Sequence, residues 1–405
     1  MNSPYDVVVV GARVAGASTA LLLARAGLKV AMVDRSAYGS DTLSTHGLMR
    51  AGVLQLSRWQ VLPEVIASGT PPVEKTLFHY ADGDVVQVSI RPSPGVDALY
   101  APRRHVMDRI LVDAAAAAGV DVCHGVTVTG LLEGTDGRVA GVRATTRGGV
   151  DREIRARLTV GADGVRSVVA REVRAPVERQ ATAGAATLYR YHGDFCAAGY
   201  EWAYGPGVAA GMIPTNDGLT CAFVSTTPSR MRALRRDGTE QAFETLFAAA
   251  APDQVARLHM STSAGRMHGW GGVRGFVRRS WGPGWALVGD AGYFKDPITA
   301  HGMTDAMRDA ELLANAVVEA AAGICPEAVA LAGYQRLRDR LSSTFFDTTD
   351  QIAAYDWDMP RIRRLLRQVS SGMTDELELL EQLPVRHGSD TSAQLVPPDR
   401  ALARE

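Results

Sequence analysis

Four consecutive valines, residues 7–10, run directly into Gly11-Ala-Arg-Val-Ala-Gly16, and few folds accommodate that junction. A β-branched run without polar alternation suits a strand buried on both faces of a parallel sheet. Gly11 supplies the sharp turn that follows, and Gly16 lets the next helix pack close to the strand. Residues 17–26 are rich in Ala and Leu, both strong helix formers, and Gly27 is a natural helix end. Residues 28–33 read as a second strand ending at Asp34, eighteen residues past Gly16, where a carboxylate that binds a ribose hydroxyl is expected. The helix N-terminus at Arg13, Val14 and Ala15 offers free N–H groups and a positive dipole end to a pyrophosphate. The motif therefore points to a dinucleotide. Arg13 stands where such motifs carry their second glycine; its guanidinium either adds charge over the phosphates or points to solvent.

The 405 residues provide ample core for two or three domains. A net charge of −1 gives no pointer to nucleic acid or to an anionic membrane. Cys123, Cys196, Cys221 and Cys325 are scattered without CxxC spacing, as expected of reduced thiols in a cytoplasmic protein, and no metal site is expected. The first strand begins by Tyr5, which leaves no room for a signal peptide, and no apolar stretch reaches membrane-spanning length.

No internal repeat is visible. Apolar, βα-type sequence recurs at 5–60, 101–175 and 282–323. Between these blocks lie aromatic, alternating stretches with hairpin turns at Asp82-Gly83 and Asn216-Asp217-Gly218. Residues 330–383 read as helices, and the last twenty residues, polar with Pro397-Pro398, as a loose tail. Two more short motifs follow apolar strands: Asp163-Gly164, then Arg166-Ser167, and Gly289-Asp290.

With all three motifs in view, the chain resembles the para-hydroxybenzoate hydroxylase-like flavoproteins, which include group A monooxygenases, geranylgeranyl reductases and flavin-dependent halogenases. The resemblance covers roughly residues 5–345. It implies an α/β fold with a discontinuous, Rossmann-like FAD-binding domain at 1–72, 101–178 and 270–345. An antiparallel β-sheet substrate domain would occupy 73–100 and 179–269, and a helical C-terminal region and tail 346–405. Motif by motif, it implies that Asp34 and Arg35 meet the adenosine half of FAD and that Val126 gives a main-chain contact to the adenine. Arg104, in Tyr100-Ala-Pro-Arg-Arg-His-Val-Met-Asp108, would contact the flavin or its phosphates. Asp163 would hold the pyrophosphate side, and Gly289 with Asp290 the ribityl chain. Pro297 would lie beside the ring, with the amides of Gly302 and Met303 at its pyrimidine edge, where a helix dipole favours the anionic reduced flavin. His301 would either hydrogen-bond the flavin or cap that helix. Thr45 and His46 occupy the segment that passes under the ring in relatives, and His46 is the candidate general base, since imidazole titrates near neutrality.

Three chemistries follow from the resemblance. A monooxygenase transfers oxygen from a flavin C4a-hydroperoxide, a halogenase oxidises halide with the same species, and a reductase passes hydride to a carbon–carbon double bond. Halogenases of this family carry WxWxIP; here the stretch is Ala209-Ala210-Gly211-Met212-Ile213-Pro214, lacking both tryptophans, although Lys75 lies near the halogenase lysine position. Tyr189 and Tyr191 alternate with Arg190 and His192, and an aromatic inward pair would suit a small aromatic or polycyclic substrate. The favoured expectation is therefore an FAD-dependent monooxygenase, with a reductase second and a non-catalytic electron carrier third. No second glycine motif for a nicotinamide nucleotide is present, so the electron donor is either transiently bound NAD(P)H or a partner flavin reductase.

Overall fold

In the computed structural model, which describes residues 5–384, the valine run forms the strand Tyr5–Val10 in the middle of an eight-stranded sheet. It runs parallel to Val30–Asp34 on one side, with Val7 opposite Val30, and to Asp151–Gly161 on the other, with Val7 opposite Leu158. Parallel strands Asp121–His124 and Trp285–Leu287 extend the sheet at either side. The helices Val14–Arg25 and Arg104–Ala117 cover one face and the antiparallel strands Val126–Glu133 and Val139–Thr146 cover most of the other, so all four valines are buried. The strand Asp151–Gly161 serves two partners. Its end joins the parallel sheet, while its start pairs antiparallel with Val139–Thr146, which pairs in turn with Val126–Glu133.

The first helix, Val14–Arg25, packs between Arg104–Ala117 and the long helix Gly302–Ala321. A Cβ on Gly16 would lie 1.8 Å from the Gly11 carbonyl oxygen, so the close helix approach read from the sequence is real. Gly27 has φ 85° just past the helix end, the left-handed turn that favours glycine.

The second sheet has seven strands, in the order 262–270, 186–193, 220–226, 208–214, 200–205, 75–80 and 85–89. Its two faces are chemically different. Leu188, Ala203, Ala210, Met212 and Val224 pack outward on Phe243, Leu246 and Phe247 of the helix Thr239–Ala250. Tyr189, Tyr191, Tyr200, Trp202 and Phe223 point the other way and join the core that continues into the first sheet and its helices. The helix Thr239–Ala250 was not anticipated; it lies within residues 179–269, which were assigned to the β-sheet domain. A small sheet of Val177–Gln180, Phe276–Arg278 and Tyr293–Phe294 completes the described strands.

Glu327–Ala353 and Met359–Gln382 form the C-terminal helices, as the periodicity of 330–383 suggests. The second packs on the first and on Arg50–Arg58. The expected loose tail lies outside the described residues. No helix among those described is long and apolar enough to cross a membrane.

Candidate active site

A cavity of about 470 Å³ opens at the carboxyl ends of the parallel strands, walled by Val10, Val33 and Ala162. Clefts at this place in an open α/β sheet are where ligands bind. Gly11, Arg13, Val14, Ala15, Asp34, Arg35, Arg104, Val126 and Asp163 all line it. So do Thr45, His46, Asp290, Pro297, Gly302 and Met303, which the chain brings from two distant segments. Gly16, part of the glycine motif, and Gly289, expected at the ribityl chain, do not themselves line the wall. Their role is backbone packing: Gly289 has φ 58°, and a Cβ there would meet the Ala15 Cβ at 2.9 Å. Arg166 and Lys295 line the cavity without having been singled out.

The wall carries five basic side chains, Arg13, Arg35, Arg104, Arg166 and Lys295, against the carboxylates Asp34, Asp163 and Asp290. Arg13 is held at the cavity wall rather than free in solvent. Its Nη1 donates to Asp108 at 2.7 Å and to the Ser40 carbonyl at 2.5 Å. Arg104 donates to both oxygens of the same carboxylate, at 3.2 and 3.3 Å. Asp108 is therefore the acid that fixes both arginines at the cavity. Its only sequence signal is the four-residue spacing from Arg104, which places the two side by side on a helix.

Asp34 accepts from the backbone N–H groups of Ala12 and Ser36 at 2.8 and 2.6 Å, tying the glycine turn to the second strand. Asp163 accepts from Ser167 Oγ at 2.5 Å and from the Val168 N–H at 2.6 Å, so it braces the short helix Val168–Glu172. Asp290 differs from both. It receives no hydrogen bond from any described residue, and burial pushes its carboxyl up to about 6 against the pull of Arg104 and Lys295. Its oxygens open on the cavity, where the hydroxyls of a ligand can donate to them.

The segments 42–47 and 297–303 meet at the other end of the cavity. A Cβ on Gly47 would sit 3.7 Å from the Ala300 Cβ. His46 (φ 70°) and Ala300 (φ 49°) both hold left-handed backbone, a conformation costing on the order of 1–3 kcal/mol for residues with a side chain and concentrated at functional sites. The His46 ring is buried, with Nε2 at 2.6 Å from Tyr191 Oη and Nδ1 without a protein partner. Burial drives its pKa down to about 3, so the imidazole is neutral at ordinary pH and does not titrate near neutrality as expected. Tyr189 and Tyr191 stand behind this wall rather than in it. The Arg103 guanidinium lies 4.4 Å over the Tyr191 ring, and Tyr189 stacks on His268 at 4.8 Å.

His301 does not cap its helix through its side chain; Nε2 lies 2.6 Å from Glu376 of the C-terminal helix. His301, Asp305 and Glu376 are spaced closely enough to hold a metal ion, but Lys295 and Arg308 already bring two positive charges to these carboxylates. Lys75 opens a strand of the second sheet, partly exposed, and does not line the cavity. A Cβ on Gly211 would come 2.3 Å from the Phe223 ring, which fills the space a tryptophan at that position would need.

This chain belongs to the FAD binding domain family, which matches it over residues 4–348. It is a flavin-dependent oxidoreductase by that membership and by its relatives. Digeranylgeranylglycerophospholipid reductase 2 of Methanopyrus kandleri is 29% identical over 323 residues, 74% of this chain and 73% of that protein. Digeranylgeranylglycerophospholipid reductase of Methanosarcina mazei is 28% identical over 340 residues, 79% of this chain and 76% of that protein. In fold, the chain is similar to the flavin-dependent brominase Bmp2, with TM-score 0.78, 17% identity and coverage of 96% and 94% of the two chains. It is also similar to PqsL, a probable FAD-dependent monooxygenase from Pseudomonas aeruginosa, whose complex with 2-aminobenzoylacetate superposes with TM-score 0.76 at 22% identity, covering 90% of this chain and all of that one.

The residues present fit FAD. The excess of basic over acidic groups on the wall matches a diphosphate, the unsatisfied Asp290 matches ribityl hydroxyls, and Gly302 leaves open space where its Cβ would stand. Asp290→Ala is expected to give folded protein that retains little flavin after purification. Flavin absorbance per protein at the parent level would remove Asp290 from the cofactor contacts.

Proposed function

We propose that this protein is an FAD-dependent monooxygenase acting on a small aromatic or polycyclic metabolite. Bound FAD supplies the electron transfer and the activation of oxygen. The carrying observation is the cavity end where segments 42–47 and 297–303 meet: neutral His46 lines it, paired with Tyr191 and backed by Arg103 and Tyr189, which stand behind the wall. A polar ring on such a wall suits a small substrate bearing a hydroxyl, amine or carboxylate. His46 positions rather than titrates. With Tyr191 Oη donating to Nε2, the ring proton sits on Nδ1, which is buried and has no partner among the described residues. Segments 42–47 and 297–303 line the same end of the cavity. The likeness to a monooxygenase solved with 2-aminobenzoylacetate supports an aromatic substrate of that size.

The second reading is a flavin-dependent reductase of carbon–carbon double bonds, favoured by the names of the sequence relatives. Halogenation is weaker still, since Phe223 holds the tryptophan space and Lys75 stands apart from the cavity. NAD(P)H bound transiently, or a separate flavin reductase, supplies the electrons.

The experiment mixes photoreduced protein with oxygen in the presence of aromatic acids, amines and phenols, using labelled oxygen and mass analysis of product. Incorporation of one labelled atom supports oxygenation. Oxygen-independent reoxidation by an alkene, without incorporation, supports the reductase instead.

His46→Ala is expected to slow turnover by about tenfold, the worth of one hydrogen bond near 1–1.5 kcal/mol, with flavin occupancy nearly unchanged. An unchanged rate removes His46 from the site. The same residue predicts a pH effect. Its folded pKa lies below the unfolded value of 6.5, so the unfolded chain takes up a proton first as pH falls. Stability should therefore decline from about pH 6.5 towards 3, with buried His192, lowered to about 4, acting in the same direction. Thermal melting across that window should be flatter for His46→Gln; identical slopes would place the imidazole in water.

A further inference from the structure

We propose that Lys295 is the cation that balances the negative charge which the bound flavin gains on reduction, and that Glu376 on the C-terminal helix sets how strongly that cation is felt. The inference rests on FAD binding alone and holds whichever reaction the flavin serves.

Lys295 is 6% exposed and lines the cavity, and its Nζ, buried behind the wall, reaches Asp305 in the first turn of Gly302–Ala321. An ammonium buried this deeply is costly unless something requires it. Its surroundings hold it in place. Asp305 pairs with Nζ, and the rings of Tyr293 and Phe345 lie 5.4 and 5.2 Å away.

The pairing is incomplete. Asp305 also pairs with Arg308 at 2.8 Å, and Arg308 is shared further with Asp309 at 2.7 Å and Glu376 at 3.0 Å. Nζ makes no well-formed hydrogen bond to any described residue. Burial and the nearby Arg308 push its pKa down to about 7, so an additional negative charge beside it would hold its proton more firmly. A hydride from a dihydronicotinamide brings that charge: two electrons and one proton leave the ring one unit more negative. The helix dipole at Gly302 acts in the same direction, but it is a partial charge, whereas the ammonium is a whole one.

Glu376 is fully buried and comes from a helix that the cofactor motifs do not include. It holds His301 and Arg308 together at the start of the flavin-facing helix. Its negative charge offsets the cations and lowers the potential they exert at the cavity. Lys295 and Glu376 must then act with opposite signs.

The test uses flavin-loaded protein and two readouts at equal occupancy: the two-electron midpoint potential under dithionite titration, and the affinity for sulfite. Sulfite adds to the oxidised ring through one new sulfur–nitrogen bond and leaves it anionic, with no reductant consumed. Lys295→Met should weaken sulfite binding by about tenfold or more and lower the potential by about 30 mV, the two-electron equivalent of a tenfold change. Lys295→Arg should stay within about threefold of the parent, because it keeps the charge. Glu376→Gln should shift both readouts upward. A general loosening of the site would move Lys295→Met and Glu376→Gln in the same direction, which overturns the proposal, as does an unchanged Lys295→Met. If Lys295→Met retains no flavin, Glu376→Gln decides: a rise supports the assignment, and no change or a fall ends it.

Discussion

Gly16→Val is expected to yield protein without bound flavin and with sharply lowered stability. A Cβ at this position would stand 1.8 Å from the Gly11 carbonyl oxygen, 2.9 Å from its carbon and 3.1 Å from the Ala162 Cβ. The first two obstacles are backbone at the turn between the first strand and helix, so no rotamer change relieves them. Overpacking a core usually costs about 1–3 kcal/mol, and a clash with fixed backbone belongs at or beyond the upper end. The helix would have to move away from the strand, carrying the amides of Val14 and Ala15 with it. Gly302→Ala is the informative contrast, since no atom lies within 4 Å of its Cβ position. That variant should fold normally and bind FAD more weakly, because the new methyl enters the cavity. Parent-level flavin content and melting temperature in Gly16→Val would refute the packing argument.

Arg308→Met is expected to be the most destabilising single change in the long helix. Arg308 is fully buried and holds Asp305, Asp309 and Glu376 at 2.7–3.0 Å. Removing it leaves three carboxylates facing one another, with only Lys295 to offset them. Breaking a buried ion pair by deleting one partner costs about 3–5 kcal/mol, against a total stability of about 5–15 kcal/mol. Urea denaturation should therefore show a much lower midpoint with a similar slope. A loss below about 1 kcal/mol would mean that the carboxylates are protonated or hydrated when the arginine is absent. Replacing Arg308 together with Glu376 by apolar residues should recover part of the loss, because fewer buried charges remain uncompensated.

What was legible in the sequence shared one property: local spacing. The strand Tyr5–Val10, the helix after Gly11 and Asp34 at the end of the second strand belong to one βα unit whose geometry is set by neighbours in the chain. Asp163 and Asp290 could be placed for the same reason, each following its own apolar strand. What anchors Arg13 was not legible, because its partner, Asp108, is 95 residues away. The packing role of Gly16 was legible, whereas Gly289, read as a ribityl contact, keeps backbones close and does not line the wall. Lys295 escaped notice altogether. One lysine beside a Gly-Asp motif has no periodicity to mark it, and its burial follows from Phe345 and Asp305 closing over it.

The amino-acid sequence by itself determined the nucleotide-binding architecture, because a turn, a helix start and a strand end are properties of short stretches governed by sterics and backbone hydrogen bonding. Only the tertiary structure decided the electrostatics of the site. Whether His46 is neutral, whether Asp290 lacks donors and how far Lys295 is compensated depend on burial and on charges contributed by Tyr191, Arg104, Arg308 and Glu376. Those partners come from distant parts of the chain, and the energy of a charge is fixed by what surrounds it in space rather than by what precedes it in sequence.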